Sequence, residues 1–498
     1  MMNRLVNLNE LTYYVEKKII FLIIALVPLL GVAQNVLVIK NVSIVDMKES
    51  KIKKNKTVII EGNKIVAIAT NAKIPASSKI VDGKGKFLIP GLWDMHVHTL
   101  RRERVPLYLP QFVANGIIGI RDMSTPLEDF DLFRQAQANI KSDSILRPHF
   151  IVACGPALDG PNNARPGLSI PISSVEQAKE AVDLLYNHGA NFIKVYSMLR
   201  RDAFFAIIDQ ARKRGLSVAG HIPAFVSALE ASDAGLKSME HSYGILECCS
   251  RNEATIRKEV EQAASNANGP AAWAAVVRTT DKAYADYAVN SDFDQKKADT
   301  LFSHFMKNGT WQCPTLVVRL AFALMNDSNF TNDKRVQYIP KTDVDRWNPQ
   351  ADLRHKDLTQ EETRRRNIRL QEESKNVGRM KKAGVGILAG TDLGNPFIFP
   401  GFSLHDELEL LVKAGLTPFE ALKTATINPA RFLNMQDSMG TIEKGSIADL
   451  VLLNANPVEN ISNTKKIEAV IVNGRLLQRE ELDAILTRSK TLAGNNRN

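Results

Sequence analysis

The sequence predicts an α/β protein, a (β/α)8 TIM barrel with a small β-sandwich domain formed by both chain ends. Three observations carry that prediction. Eight short apolar runs of strand character alternate with helical segments between residues 87 and 392, the order of a closed barrel of parallel strands. Turn-punctuated, β-branched runs occupy 36–86 and return after 448, and neither set makes a full sheet alone. The 498 residues also exceed the roughly 250–300 at which a single hydrophobic core stops growing.

The first 33 residues read as a signal peptide, outside the fold. Residues 19–31 are IIFLIIALVPLLG, preceded by Lys17 and Lys18 and followed by Val32-Ala33-Gln34. A basic flank, a short apolar core and small residues at a cleavage point after Ala33 make the order of an export signal. They predict a periplasmic or extracellular protein. An uncleaved anchor is the competing reading, since apolar character resumes over 36–39. Gln34 and Asn35 interrupt that extension, and a spanning helix needs roughly 20 apolar residues.

The first half of the sandwich covers 34–88, with VLVIKNVSIV, KTVII and KIVAIA as strands and Glu61-Gly62-Asn63-Lys64 as a hairpin turn. The barrel covers 89–436. Its first four strands are expected in FLIPGLWDMHVH (87–98), GIIGIRDM (116–123), HFIVACG (149–155) and NFIKVYS (191–197). The other four are LSVAGH (216–221), KSMEHSYG (237–244), TWQCPTLVV (310–318) and GVGILAGTD (384–392). Spacing breaks once, over about 245–310, an Ala-rich and charged stretch that reads as a helical insert and substrate lid. The second sandwich half covers 437–480, with ADLVLLN and EAVIVNGRLL as strands, and 481–498 is a C-terminal tail.

Composition narrows the class. Hydrophobic residues at 44% and charged residues at 24% exclude a wholly disordered, collagen-like or coiled-coil chain. Four cysteines make no disulfide framework and lack zinc-knuckle spacing. Cys248 and Cys249 are adjacent, while Cys154 and Cys313 read as buried thiols. The net charge of +10 concentrates in 364–382, where Glu361, Glu362, Glu372 and Glu373 are interleaved, so the stretch reads as a solvated outer helix. No nucleic-acid-binding signature accompanies it. The Gly384-Val385-Gly386 pair precedes a strand, so it is no phosphate cradle.

The chemistry gathers at strand ends, where this fold builds its active sites. The first strand ends His96-Val97-His98, and alternation sends both imidazoles to one side. The fourth carries Lys194, the fifth ends in His221, the sixth contains His241 and the eighth ends in Asp392. Arg121, Tyr196 and Tyr243 lie beside them as candidates for binding a substrate carboxylate or carbonyl, with packing at the rim as the alternative. His149 begins its strand and faces the wrong end. His188, His304 and His355 read as solvated or packing residues, and His405 could reach the mouth.

These residues resemble the amidohydrolase superfamily, in its imidazolonepropionase-like and Xaa-Pro-dipeptidase-like branch. The resemblance rests on PGLWDMHVH, on His221 and His241, and on AGTD ending in Asp392. It continues through LHDELELLVKAGLTPFEALKTATINPARFL (404–433) and GTIEKGSIADLVLL (440–453). It implies one or two divalent metal ions, usually zinc. His96, His98 and Asp392 would hold one and His221 and His241 the second, with Lys194 bridging as a CO₂-derived carbamate. Two close dications need an anionic bridge, which an ammonium cannot supply. The alternative for Lys194 is an ammonium in a one-metal site.

The resemblance implies hydrolysis of a carbon–nitrogen bond. With metal bound, hydroxide is available at neutral pH, and Asp392 would take the water's proton and pass it to the departing nitrogen. The expected partner is a small amide or dipeptide, with no nucleic acid and no stable membrane insertion after signal cleavage. Self-association stays open. Lactone, ester or phosphotriester hydrolysis on the same centre is a second enzyme reading, and a metal-binding scaffold without catalysis is a third.

Overall fold

The computed structural model describes residues 36–138, 146–165, 167–266 and 269–495. The segment read as an export signal lies outside them. No described helix is long and apolar enough to cross a membrane.

The first sheet is organised around β1 (Val36–Asp46), an eleven-residue strand that changes partners along its length. It pairs antiparallel with β2 (Lys51–Glu61), parallel with β4 (Lys79–Asp82) through its first half and parallel with β5 (Phe87–Pro90) through its second. Register shifts between Ile39 and Ile44 accompany the change. The expected hairpin joins β2 to β3 (Lys64–Ala69), with Glu61 opposite Lys64.

The barrel begins at β6 (Leu92–Val97), followed in parallel by β7 (Ile117–Asp122) and β8 (Phe150–Ala153). A short pair, β9 (Ala157–Asp159) and β10 (Ser169–Pro171), sits at the mouth, and β9 meets β11 (Phe192–Val195) through Leu158 and Val195. Asn191 joins β8 to β11: its N–H donates to Ala153 O at 2.9 Å and its Oδ1 accepts from Ala153 N at 3.0 Å. Then β11, β12 (Ser217–Gly220), β13 (Leu236–Glu240) and β14 (Trp311–Cys313) run parallel.

Residues 386–393 fill the eighth place and close the ring. Gln312 N donates to Gly386 O at 2.9 Å on one side, and Met95 N donates to Ala389 O at 2.9 Å on the other. This segment was expected as a strand, yet its pairing with the neighbouring strands is by isolated bridges, Gln312 with Ile387 and Val97 with Leu393. The backbone is pressed against its neighbours there. A Cβ on Gly390 would stand 2.5 Å from Cys313 Sγ and 2.8 Å from the His96 Cβ. The seventh run is also shorter than expected, because Thr315 (φ 49°) turns the chain into a helix at Leu316–Leu324.

Between β13 and β14 the described residues make four helices, Ile245–Cys248, Glu253–Asn266, Pro270–Asn290 and Gln295–Asn308. The longest packs on the basic helix Gln360–Ala383. That helix is solvated on one face only. Arg364 and Arg365 pair with Glu361 at the surface, whereas Arg366 and Arg369 turn inward, are buried, and meet Asp281 at 3.1 and 2.9 Å. The expectation of a solvated helix is corrected for those two residues. Leaving their charges unpaired in the interior would be costly, and Asp281 supplies the partner.

The chain end then returns to the first sheet. β15 (Leu450–Leu453) pairs antiparallel with β5, and β16 (Ile467–Val472) and β17 (Arg475–Gln478) follow. Both ends thus build one mixed sheet of eight strands, ordered β17-β16-β15-β5-β1-β2-β3 with β4 beside β1. Ile39, Ile44, Val58 and Leu88 from the first half share a core with Leu450, Leu452 and Ile471 from the second.

Candidate metal centre

His96, His98, Lys194, His221, His241 and Asp392 gather at the C-terminal mouth of the barrel. The His96 ring lies 5.4 Å from that of His98 and 4.6 Å from that of His241, and the His221 ring lies 4.7 Å from that of His241. Asp392 Oδ1 is 3.1 Å from His98 Nε2 and 3.5 Å from His96 Nε2, and its Oδ2 is 3.8 Å from His241 Nδ1. Alternation along β6 explains the first pair and the ends of β12 and β13 the others.

Two of these residues adopt backbone geometry that side chains avoid. His241 has φ 63° and Asp392 φ 60°, each costing on the order of 1–3 kcal/mol unless the surroundings impose it. His241 N donates to Cys313 O at 2.9 Å, and Arg319 Nη2 donates to His241 O at 2.8 Å. Asp392 N donates to His96 O at 2.7 Å, and Asn395 Nδ2 donates to Asp392 O at 2.9 Å. Before His221, Gly220 runs at φ 145°, where a Cβ would lie 2.1 Å from Val195 O. Only glycine lets β12 approach β11 that closely.

Three of the histidines have one ring nitrogen engaged away from the cluster. His96 Nδ1 is 2.7 Å from Glu240 Oε2, His221 Nδ1 is 2.6 Å from Ser197 Oγ, and His241 Nδ1 is 2.7 Å from Thr315 Oγ1. Among the described residues, His96 Nε2, His221 Nε2 and Lys194 Nζ are buried with no hydrogen-bond partner. Buried polar atoms are otherwise nearly always paired. Orphaned imidazole nitrogens beside a carboxylate are the donor set that a divalent cation completes, and the residues fit one. Ligand-type atoms of His96, His241 and Asp392 lie within 4.8 Å of one another.

The electrostatics favour the same reading. Burial, then the neighbouring Lys194, pushes His96 down to about 4, and burial with the nearby cations takes His221 and His241 well below the ordinary imidazole value. All three are neutral at pH 7, as a ligand must be. Burial also lowers Lys194 from the usual lysine value, which favours its amine form. At Asp392 burial works against ionisation, but His241, His96 and His98 outweigh it and hold the carboxyl below the usual range.

Above the centre lies a cavity of about 140 Å³, bounded by His98, Tyr196, His221, His241, Tyr243 and Asp392. Tyr196 stacks on His221 with centroids 4.0 Å apart, and Tyr243 lies 5.0 Å from the same ring. Arg121 does not reach the cavity. It is 1% exposed, and its guanidinium donates to Met95 O at 2.7 Å, Ser238 Oγ at 2.8 Å and Glu240 Oε1 at 2.8 Å. A substrate role for Arg121 is therefore corrected: its donors serve the barrel interior, where Glu240 needs a counter-charge.

Sequence reading passed over several residues that shape the site. Asp94, two before His96 and so on its face, accepts from Thr391 N at 3.0 Å and Thr391 Oγ1 at 2.7 Å, clamping β6 to the eighth segment. Glu240 stood next to His241 and was open to notice. Trp273, from the helical insert, lies 5.2 Å from Tyr243 and 5.9 Å from His221, and no local signal marks it. Arg101, Arg104, Arg165, Arg319 and Arg354 also line the cavity, from four separate segments.

The remaining histidines sit elsewhere. His149 Nδ1 meets Asp449 at 2.7 Å, His188 meets Asp131 at 2.8 Å and His304 meets Asp233 at 2.7 Å. His355 is buried against Arg366, and His405 is buried between Thr464 and Asn115 O, away from the mouth. The four cysteines are buried and free.

The profile of the amidohydrolase family matches residues 87–477. The chain belongs to the amidohydrolase family. It is a metal-dependent hydrolase acting on carbon–nitrogen bonds. Among curated proteins this amidohydrolase is 18% identical to a 5-methylthioadenosine/S-adenosylhomocysteine deaminase of Caldanaerobacter subterraneus subsp. tengcongensis, over 90% of this chain and 94% of that one. It is 37% identical to ochratoxinase of Aspergillus niger over 91 residues, 18% of each chain. A solved Xaa-Pro dipeptidase with bound methionine shares the fold at a TM-score of 0.61 and 19% identity, covering 89% of this chain and 100% of that one.

Proposed function

We propose that this amidohydrolase cleaves the amide bond of a small anionic substrate, a dipeptide or N-acyl amino acid. The observation that carries the reading is the cluster of orphaned His96, His221 and Lys194 nitrogens opposite Asp392. His96, His98 and Asp392, with His241 and His221, are the residues that would hold metal, with zinc the usual ion of this donor type. Lys194 would join them as a carbamate, a reading supported by its burial, which favours the amine that adds CO₂. Bound metal supplies a nucleophilic water at neutral pH and a Lewis acid for the carbonyl.

The chain's own groups do the rest. Asp392 Oδ accepts the proton of the attacking water and delivers it to the departing nitrogen, a transfer worth roughly 10²–10⁴-fold. Tyr196 and Tyr243 line the cavity beside His221 and bound the space for the reacting carbonyl, and Trp273 packs beside Tyr243 over His221 and limits water. Substrate charge is read by guanidinium groups. Arg104 is paired with Asp343, Arg319 with Glu373 and Arg354 with Asp352. Arg101 Nε is buried with no hydrogen-bond partner among the described residues, and Arg165 stands over the Tyr196 ring at 5.7 Å. These two are the cations suited to a substrate carboxylate.

The test is amine release from a dipeptide and N-acyl-amino-acid library by zinc-loaded protein lacking residues 1–33, alongside folded His96→Ala protein. Release by the wild type alone supports the reading. No release by metal-loaded protein would overturn it in favour of cyclic amides, lactones or esters.

A further inference from the structure

Glu240 ends β13, one residue before His241, and its carboxylate points into the barrel interior. It is 1% exposed. One oxygen lies 2.7 Å from His96 Nδ1, and the other accepts from Arg121 Nη2 at 2.8 Å and Ser238 Oγ at 2.5 Å. Arg121 is held in turn by Met95 O and Ser238 Oγ, and its guanidinium lies 5.1 Å from the Phe432 ring. Two consecutive links, Arg121 to Glu240 and Glu240 to His96, therefore join a buried cation to one imidazole of the centre.

The chemistry of the three second partners differs. Ser197 and Thr315 offer hydroxyls to His221 and His241, and a hydroxyl both donates and accepts, so neither dictates where the imidazole proton sits. An ionised carboxylate only accepts. Facing Glu240, His96 must carry its proton on Nδ1, which leaves the Nε2 lone pair toward Asp392. Cys313 Sγ lies within 4.8 Å of the Glu240 and His96 ligand atoms, but Arg121 already supplies the positive charge there. That group is a support and not a second ion site.

We propose that Glu240, with Arg121 as its counter-ion, is a positioning residue that commits His96 Nε2 to metal binding and retains the metal. The proposal rests on His96 being a metal residue. Partners of this kind typically govern metal affinity by roughly 10–100-fold.

The experiment uses zinc-loaded protein and follows zinc transfer to a colorimetric chelator, with thermal unfolding of the metal-free protein as a control. The double variant Arg121→Met with Glu240→Met removes both charges together and so leaves no buried ion unpaired. It is expected to fold and to release zinc roughly 10–100-fold faster than wild type. A folded double variant that releases zinc at the wild-type rate overturns the proposal. Should it not fold, ¹⁵N spectra of histidine-labelled, metal-free wild type decide, with the His96 signal identified by its loss in His96→Ala. An Nδ1–H tautomer supports the proposal and an Nε2–H tautomer overturns it. His96→Ala protein that keeps its full zinc content would instead remove the reading on which the proposal rests.

Discussion

Asp392 is tied to His96 twice, its backbone N–H donating to the His96 carbonyl at 2.7 Å and its Oδ1 lying 3.5 Å from His96 Nε2. The first link fixes a left-handed backbone and the second aims the carboxylate at the centre. Asp392→Asn keeps the shape and removes the proton acceptor. We expect a folded protein whose kcat is lower by roughly 10²–10⁴-fold. Turnover measured beside zinc content and melting temperature checks this. A kcat within a few-fold of wild type would take Asp392 out of proton transfer.

The legible part of this molecule was whatever a strand end announces. His96, His98, Lys194, His221, His241 and Asp392 were placed because alternation and barrel topology fix where a residue at the end of a strand must point. Arg121 fails the same logic, since its position near the end of β7 says nothing of Glu240 four strands away in the ring order. Trp273 and Arg354 reach the cavity from an insert and a loop, and only tertiary packing decides that. The eighth segment, with Gly386 and Gly390, kept its place in the ring without keeping strand geometry.

Arg121 separates two roles cleanly. A substrate-binding arginine would raise KM when replaced and leave stability alone. Arg121→Met instead strands the Glu240 carboxylate in the interior, which costs roughly 3–5 kcal/mol. Urea unfolding is expected to show that loss, and the double variant with Glu240→Met to recover much of it. A wild-type unfolding midpoint with raised KM would return Arg121 to the substrate.

Arg101 belongs to the other class. Thr99 N and Leu100 N donate to Asp122 Oδ2 at 2.6 and 3.0 Å, which anchors the turn that presents it to the cavity. Arg101→Met should raise KM for N-acyl amino acids roughly tenfold or more, by loss of a charge-assisted bond worth about 1.5–3 kcal/mol. The matching carboxamides should be affected much less. Equal effects on acid and carboxamide would mean that Arg101 acts on something other than substrate charge.

Stability should carry a pH signature from one carboxyl outside the centre. Glu407 is fully buried on the helix Phe402–Lys413, and one oxygen accepts from Val317 N at 2.7 Å at the start of the helix Leu316–Leu324. Its other oxygen has no partner among the described residues. Burial pushes this carboxyl up to about 8, against about 4.3 in an unfolded chain. Between those values the folded protein holds a proton that the unfolded chain has released, so stability falls as pH rises. The contribution is fully present below about pH 4 and is lost through about pH 8. Glu407→Gln stays neutral throughout, and its side-chain carbonyl can still accept from Val317 N. The variant's melting temperature relative to wild type should therefore climb between pH 5 and about pH 8 and level off above it, while ionisations common to both proteins cancel in the difference. A difference that stays constant over that interval would show that Glu407 does not titrate there.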